Sequence, residues 1–475
     1  MRLLTPDICV IGAGSAGLTV AAAARAFGVE VVLVEEGRMG GDCLNTGCVP
    51  SKALIAAAAH ARAVAEAPRF GVDAGPARVD FAKVRDHVRS VIAGIAPHDS
   101  VERFEGLGAT VITARARFTD PDTVVAGDAT IRARRFVVAT GSRALVPTIP
   151  GLDTVSHLTN ETVFDLDRLP GHLLVVGGGP IGLELAQAFR RLGSEVTVVE
   201  HGAILPKDDP ELVAVVRARL AAEGVTLVEG ARLTRLAPAA EGLTALAASE
   251  GAERSVAATH LLLATGRTAN VEDLGLEAAG IFADRRGIRT DRGLRTDNRR
   301  VYAIGDVVAG SYRFTHWAGY HAGLAVRSIL FRLPVKENPD ILPWCTYTDP
   351  EIGRVGLTEE AARERHGGRV KVLAAPYSAN DRARTGLRTD GMVKLVVGPR
   401  GRILGAAAAG PEAGELLGLL ALAVSRRLTV KALADTVFPY PTLAEIARRA
   451  ALAYYGDSLA NPWIGRLLGL LRRLG

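Results

Sequence analysis

Two cysteines five positions apart are the residues of this 475-residue sequence with the clearest capacity for chemistry. Cys43 and Cys48 lie in the string Gly-Gly-Asp-Cys-Leu-Asn-Thr-Gly-Cys-Val-Pro-Ser-Lys, which leads into an alanine-rich helical stretch. This spacing permits a small disulfide loop, and a thiolate near a helix N-terminus has a lowered pKa and higher reactivity. A metal half-site or inert core cysteines are the alternatives, but zinc would need two further ligands, and no second CxxC or His cluster exists. The pair is therefore predicted to be redox-active.

The elements that must position this pair begin with a glycine-rich turn typical of dinucleotide binding. A strand at residues 8–11 leads to Gly12, Gly14 and Gly17, a helix follows, and the next strand ends at Glu35. The glycines permit the tight turn and the approach of a pyrophosphate to the helix N-terminus, whose dipole favours an anion. Glu35 lies 23 residues after Gly12, where a carboxylate accepts hydrogen bonds from ribose hydroxyls.

The same order of strand, turn, helix and acid recurs later in the chain. Gly177, Gly179 and Gly182 follow the strand at 173–176, and the next strand ends at Glu200, again 23 residues after the first glycine. Two copies predict two dinucleotide sites, and one working site with a decayed copy is the alternative.

Each copy is followed by a strand that closes on Ala-Thr-Gly, which places Thr140 and Gly141 after the first copy and Gly266 after the second. The carboxylate of Glu200 would bond a 2′-hydroxyl and repel a 2′-phosphate, and no Arg follows in the next few residues. The second site is therefore expected to favour NADH over NADPH.

Composition excludes several other classes of protein. With 48% hydrophobic and 23% charged residues the chain has a globular balance, and four cysteines are too few for a disulfide scaffold. The net charge of +6 forms no basic stripe interleaved with aromatics, so nucleic acid is not an expected partner. The first residues enter a strand directly and no apolar run is long enough to span a bilayer, so we expect no signal peptide and a cytoplasmic location.

The string around the cysteines resembles the redox-active segment of the flavoprotein disulfide reductases, which include glutathione reductase, dihydrolipoamide dehydrogenase and mercuric reductase. The resemblance extends to about residue 456. It implies FAD on the first glycine-rich unit, NADH or NADPH on the second, and a C-terminal domain that forms the interface of a homodimer.

Individual roles also follow from this resemblance. It implies that Cys48 faces the flavin and forms the charge-transfer complex, while Cys43 is the interchange thiol that meets the acceptor. Lys52 would pair with Glu184 beside the flavin and tune its electron affinity. Asp306 would bond the ribityl chain in a second FAD fingerprint, with a simple turn as the alternative, and the remaining FAD contacts would come from Gly41, Thr140 and Gly141.

One segment separates the members of the family. Where disulfide-reducing members have His-Pro-Thr-x-x-Glu, this chain has Tyr440 in place of the His and keeps the Glu at Glu445. A phenol has a pKa near 10 and is a poor proton shuttle at neutral pH. The Phe-Pro-Tyr string is similar to that of mercuric reductases, but no cysteine follows Cys345, so the C-terminal cysteine pair that delivers Hg(II) in those enzymes is absent. No resident metal is expected.

The expected fold class is α/β, with two doubly wound nucleotide-binding domains and an α+β dimerisation domain. We expect an FAD domain at 1–150, an NAD(P) domain at 151–270, a return segment to the FAD domain at 271–340, an interface domain at 341–456 and a tail at 457–475. In the tail, Trp463, Leu467, Leu470, Leu471 and Leu474 follow a helical spacing beside three arginines. This indicates either a short membrane-surface helix or a helix packed on the protein's own dimer.

These features are compatible with three functions. The favoured one is an enzyme that passes electrons from NAD(P)H through FAD and the Cys43–Cys48 disulfide to Hg(II) or another soft electrophile. The second is a disulfide oxidoreductase like dihydrolipoamide dehydrogenase. The third, of another class, is a membrane-surface flavoprotein redox sensor with little turnover.

Overall fold

The structure is a computed structural model that describes residues 2–249, 251–456 and 462–473. The chain forms two compact units. The first contains the residues up to Ala203 together with Gly224–Glu337, and the second contains Ile204–Glu223 together with the described residues from Asn338 onward. Both units combine helices and strands, which confirms the α/β fold class.

A five-stranded parallel sheet forms the centre of the first unit. Ile8–Ile11 lies between Arg135–Val138 and Val31–Glu35, and Val301–Ala303 and Thr110–Thr113 form the two edges. All four residues of Ile8–Ile11 are buried, as expected of a parallel strand that is covered on both faces. The sheet therefore brings a strand from beyond residue 300 next to the strands of the first glycine-rich unit.

A second parallel sheet in the same unit repeats this order. His172–Val176 lies between Glu195–Val199 and His260–Leu263, with Val225–Val228 outside Glu195–Val199. In both sheets the strand that enters the glycine-rich turn is central, and the strand that ends in the acid lies beside it. The repeat seen in the sequence is therefore a repeat of architecture, with each turn at the carboxyl edge of its sheet.

The other elements of the first unit surround these sheets. A three-stranded antiparallel sheet contains Arg232–Ala239, Gly242–Ser249 and Ala252–Ala258, and a four-stranded sheet has the order Arg2–Leu4, Ala129–Ile131, Thr123–Ala126 and Ala116–Asp120. Two short pairs join Arg267–Ala269 to Ser142–Ala144 and Ala283–Asp284 to Gly287–Ile288. The α-helices are Ser15–Ala26, Gly41–Asn45, Cys48–Glu66, Phe81–Ile95, Val101–Gly106, Pro180–Leu192 and Thr315–Phe331.

The second unit is built on a five-stranded antiparallel sheet. Its strand order is Pro343–Thr346, Glu351–Gly356, Ile403–Gly410, Met392–Val397 and Lys371–Pro376. The α-helices are Pro210–Ala222, Glu359–His366, Asp381–Thr385, Ala413–Ser425, Val430–Asp435, Glu445–Leu452 and Pro462–Leu471. Within the described parts of the chain, no helix combines the length and hydropathy needed to cross a bilayer.

The first glycine of each turn is required by its backbone. Gly12 has a φ of +105°, and a Cβ added there would lie 2.4 Å from the carbonyl oxygen of Ala139. Gly177 repeats this geometry with a φ of +116° and a distance of 2.3 Å to the carbonyl oxygen of Ala264. Since Ala139 and Ala264 begin the two Ala-Thr-Gly strings, each string passes against its glycine turn with no room for a side chain.

Replacement of Gly12 by Ala is expected to destabilise the first unit by about 3 kcal/mol or more, because the clash adds to the strained φ. Gly280→Ala is the matched control, since Gly280 has a φ of +70° but nothing within 4 Å of an added Cβ. Its expected cost is about 1 kcal/mol. Urea unfolding of both variants measures the difference, and equal losses would contradict the steric account.

Candidate redox-active site

The two cysteines lie at the junction of two helices. Cys43 belongs to Gly41–Asn45, and Cys48 is the first residue of Cys48–Glu66. The side chain of Asn45 donates hydrogen bonds to the carbonyls of Met39 (3.0 Å) and Gly41 (2.8 Å), which holds the connecting loop in place. Both cysteines are free thiols and hydrogen-bond with each other.

This contact separates the acidities of the two thiols. The hydrogen bond from Cys43 is the main reason that the pKa of Cys48 falls to about 6. Thr315 and Lys52 act in the same direction, while burial opposes them. The same hydrogen bond, together with burial, raises the pKa of Cys43 well above its ordinary value. At neutral pH the pair therefore carries one negative charge, which resides on Cys48.

The other two cysteines have different surroundings. Cys9 is fully buried in the central strand, and burial raises its pKa to about 12, so it is an inert thiol. Cys345 has the apolar sequence neighbours typical of a buried thiol, but it is only half-buried.

Thr315 is a functional candidate that the sequence did not indicate. Its Oγ1 lies 3.4 Å from Cys48 Sγ, at the start of the helix Thr315–Phe331. The ring of the neighbouring His316 stacks on Phe314 with centroids 5.3 Å apart. Because Thr315 and Cys48 are 267 positions apart, only the fold brings them together.

An ion pair involves the same helix, Cys48–Glu66, one turn after Cys48. Lys52 Nζ is 2.6 Å from Glu184 Oε2, and Glu184 is buried in the helix Pro180–Leu192 of the second glycine-rich unit. A buried carboxylate without a partner would be costly, so the pair holds both side chains in position. The two residues that the family resemblance paired are thus in direct contact.

A second cation connects the cysteine loop to Asp306. Arg267 Nη2 lies 3.2 Å from Asp42 Oδ2, and its Nε donates to Ser142 Oγ at 2.8 Å. Ser142 Oγ in turn donates to Asp306 Oδ2 at 2.7 Å, while burial raises the pKa of that carboxyl. Arg267 therefore stands between two carboxylates, of which Asp42 raises the pKa of both thiols and thus opposes thiolate formation. Neither Arg267 nor Asp42 is indicated as a site residue by the sequence.

His321 supports the backbone that precedes Asp306. It is fully buried, and its Nδ1 accepts a hydrogen bond from the N–H of Gly305 at 3.2 Å. Its Nε2 therefore carries the proton and donates to Glu337 at 3.1 Å. The ring therefore has a structural role in fixing this turn.

Both predicted ribose-binding carboxylates are held in the same way. Glu35 accepts hydrogen bonds from the backbone N–H groups of Ala13 (2.6 Å) and Gly37 (2.7 Å). Glu200 accepts from the N–H groups of Gly178 (2.6 Å) and Gly202 (2.9 Å). Each carboxylate is thereby fixed beside its glycine-rich turn.

The first turn fits a dinucleotide such as FAD. Gly14 lies at the N-terminus of the helix Ser15–Ala26, and a Cβ on Gly41 would lie 2.7 Å from the Gly14 Cα. Two bare backbone segments therefore meet where a pyrophosphate would bind, with Glu35 at one side. At the other strand end, Thr140 Oγ1 donates to the carbonyl of Asn270 at 2.7 Å and stabilises the Ala-Thr-Gly turn.

A basic side chain that is distant along the sequence lies near the Glu200 segment. A cleft of about 420 Å³ is lined in part by His201, Arg232 and Glu253, and Arg232 Nη2 lies 3.5 Å from His201 Nε2. Arg232 begins the strand Arg232–Ala239 and is therefore remote from Glu200 along the chain. The nearest base along the sequence, Lys207, is not part of this cleft.

Tyr440 and Glu445 lie in the second unit. Tyr440 is 70% exposed, and its hydroxyl donates to Asp381 Oδ2 at 2.9 Å. This hydrogen bond is the main cause that raises the pKa of Tyr440, and the charge of Glu445, at the start of Glu445–Leu452, adds to it. Tyr440 is therefore a neutral phenol at physiological pH, and Asp381 is a partner that the sequence did not indicate.

The Cys48 thiolate is expected to form with a midpoint of about pH 6 in the reduced protein, so that it is a thiol below this pH and a thiolate above it. Thr315→Val should move the midpoint up by roughly half a pH unit because a hydrogen bond to the thiolate is lost. Asp42→Asn should move it down because a nearby negative charge is removed. Ultraviolet thiolate absorbance, taken as the difference from Cys48→Ser, measures it, and a midpoint near the ordinary thiol pKa would contradict this assignment.

Comparison with known proteins places this geometry in a family. Residues 6–322 match the pyridine nucleotide-disulphide oxidoreductase family, and residues 342–451 match its dimerisation domain. The chain is 36% identical to a mercuric reductase of Bacillus cereus over 95% of this chain and 72% of that protein. It is 34% identical to a dihydrolipoyl dehydrogenase of Geobacillus stearothermophilus over 95% of this chain and 97% of that protein.

A solved structure shows the same architecture. The HOCl-induced flavoprotein disulfide reductase RclA from Escherichia coli, solved as a Cu(II) complex, is 27% identical with a TM-score of 0.84 and covers 94% of this chain and 99% of its own. The family binds FAD and a pyridine nucleotide, and the matched dimerisation domain supports a homodimer. The chain therefore belongs to the pyridine nucleotide-disulphide oxidoreductases and is a flavoprotein enzyme.

Proposed function

We propose that this enzyme carries electrons from NADH to the Cys43–Cys48 disulfide and from the resulting dithiol to a soft electrophile such as Hg(II). The observation that carries the proposal is the divided acidity of the pair, with a pKa of about 6 at Cys48 and a raised pKa at Cys43. A stable thiolate beside a neutral thiol suits a pair in which Cys48 faces the flavin and Cys43 meets the acceptor.

Residues already in place would hold the cofactors. FAD would be held at the first turn by Gly12, Gly14, Gly41 and Glu35, with Asp306 on its ribityl chain. The nicotinamide nucleotide would be held by the second turn and Glu200. When bound, FAD supplies the two-electron relay between the nicotinamide and the disulfide. Lys52, fixed by Glu184, adds a positive charge that favours the Cys48 thiolate.

The thiol chemistry balances without a further reagent. NADH gives up a hydride, whose two electrons cleave the Cys43–Cys48 bond and whose proton, directly or by exchange with solvent, is the one that Cys43 keeps. In the second half-reaction Hg(II) binds the soft thiolates and accepts two electrons to become Hg(0). The disulfide then forms again, and the proton on Cys43 returns to solvent.

Tyr440 favours a metal acceptor over a disulfide. Reduction of a disulfide such as lipoamide releases a thiolate that must be protonated, and a phenol with a raised pKa is a weak acid for this step. A metal ion needs no such proton, so an exposed Tyr440 hydroxyl held by Asp381 is compatible with a metal acceptor. The mercuric reductases at up to 36% identity and the relative solved with Cu(II) support this choice.

Reduction of lipoamide remains the second candidate function. Its support is the 34% identity to dihydrolipoyl dehydrogenase over nearly the full length of both chains, together with the carboxylate at Glu445. In either function, residues 1–150 and 271–340 would form the FAD domain, 151–270 the NAD(P) domain and 341–456 the interface of the homodimer, in a cytoplasmic enzyme.

A steady-state screen with Hg(II), Cu(II), lipoamide, glutathione disulfide and quinones tests the proposed function. We expect the largest kcat/KM with Hg(II), and Cys43→Ser should lower it by roughly 100-fold or more because the outgoing thiol is lost. NADH should still bleach the bound flavin of this variant, which serves as its control for folding. Unchanged reduction of the acceptor by Cys43→Ser would exclude the proposal, and a dominant rate with lipoamide would favour the second candidate.

The role of Tyr440 is tested by two substitutions at one position. Tyr440→His should raise lipoamide reduction by about tenfold, because an imidazole near Glu445 restores an acid of suitable pKa. Tyr440→Phe is the matched control and should not raise it. Equal lipoamide rates in the two variants would show that this position does not select the acceptor.

Nucleotide preference follows from Glu200 and Arg232. We expect kcat/KM for NADH to exceed that for NADPH by about tenfold, because the Glu200 carboxylate repels a 2′-phosphate. Glu200→Gln should reduce this ratio, while Arg232→Gln should weaken NADPH use alone because Arg232 is a cation that lines the cleft beside His201. A preference for NADPH that Arg232→Gln abolishes would reverse the assignment.

A further inference from the structure

The helix Pro462–Leu471 has an exposed apolar face that neither the site nor the family accounts for. The dimerisation-domain match ends at residue 451, so this helix lies beyond both matched domains. Every described residue from 462 to 473 is exposed, and Trp463 has 73% of its surface accessible. Six large apolar side chains share this exposure, namely those of Trp463, Ile464, Leu467, Leu468, Leu470 and Leu471.

These side chains occupy a single face of the helix. At 3.6 residues per turn, the six apolar residues project onto an arc of about 160°. The opposite arc carries Arg466, Arg472, Arg473, Gly465 and Gly469, and the helix has no acidic residue. The helix therefore has one apolar face and one cationic face. Leu474, the last apolar position predicted for the apolar face, lies outside the described residues.

We propose that this face is a docking surface for an anionic lipid membrane, on which the helix lies in the plane of the headgroups. Charge complementarity favours this occupant over a second copy of the chain, because the described part of the tail carries three arginines and no acidic side chain, which matches anionic headgroups. Two copies packed through their apolar faces would instead leave these arginines without any matching negative charge. The Arg466 guanidinium lies 5.0 Å from the Trp463 ring centre, so an aromatic and a cation stand together at the border between the two faces, as at a membrane interface.

The proposal does not depend on the chemistry of the cysteines. No charged residue has to enter the lipid, because the glycines and arginines all face away from the apolar arc. The helix would hold the enzyme at a surface without crossing it, and the attraction should weaken as salt screens the arginines.

Co-sedimentation of the full-length holoenzyme with sucrose-loaded vesicles tests the surface. We expect binding to vesicles of phosphatidylcholine mixed with phosphatidylglycerol, and much weaker binding to phosphatidylcholine alone. Leu467→Glu/Leu470→Glu should lower the bound fraction roughly tenfold by placing charge on the apolar face. Arg466→Gln/Arg472→Gln/Arg473→Gln should remove the preference for the anionic vesicles and the dependence on salt.

The matched control is Phe70→Glu/Val72→Glu, which adds the same charge at two exposed apolar residues outside the tail and should bind like the wild type. Flavin reduction by NADH should be equal in all variants. Failure of the wild type to bind anionic vesicles, or equal loss in the control, would overturn the proposal. A change of oligomeric state in Leu467→Glu/Leu470→Glu, seen by light scattering without any vesicle binding, would assign the face to a second copy instead.

Discussion

The hydrogen bond between Cys43 and Cys48 is the interaction on which the rest of the site depends. It lowers the pKa of one sulfur to about 6 and raises that of the other, so that a symmetrical pair of thiols becomes one thiolate and one acid. Neither value would hold if the two helices moved apart by a few ångströms, because hydrogen bonds to sulfur weaken steeply with distance. The surrounding structure therefore has to fix the junction between Gly41–Asn45 and Cys48–Glu66.

Three contacts fix this junction from different parts of the first unit. Lys52 forms an ion pair with Glu184, which lies in the helix Pro180–Leu192. Thr315 contacts Cys48 from the start of the helix Thr315–Phe331. Arg267 forms an ion pair with Asp42. Each contact also acts on the charge of the thiols, since the Lys52 charge and the Thr315 hydroxyl favour the thiolate while Asp42 disfavours it. Position and acidity are thus set by the same side chains.

The sequence predicted the parts of this site that repeat or that follow a fixed spacing. Glycine turns such as Gly12 and Gly177 can be read directly, because a backbone with positive φ that passes against a carbonyl tolerates no other residue. Four further candidate residues could not be predicted, because they act over long separations along the chain and belong to residue types that are common on surfaces. They are Thr315, Arg267, Asp381 and Arg232. Local sequence is also a poor guide to the burial of Cys345, whose neighbours are apolar although the antiparallel strand Pro343–Thr346 leaves it half-buried.

The central claim is that NADH-derived electrons reside on Cys43 and Cys48 before they reach the acceptor. Differential alkylation with mass spectrometry tests this directly in enzyme reduced anaerobically with one equivalent of NADH per subunit. The account predicts that the peptide with both cysteines gains two alkyl groups after reduction and gains none after Hg(II) is added and then removed by a chelator. An unchanged peptide after NADH, with the flavin alone reduced, would contradict it.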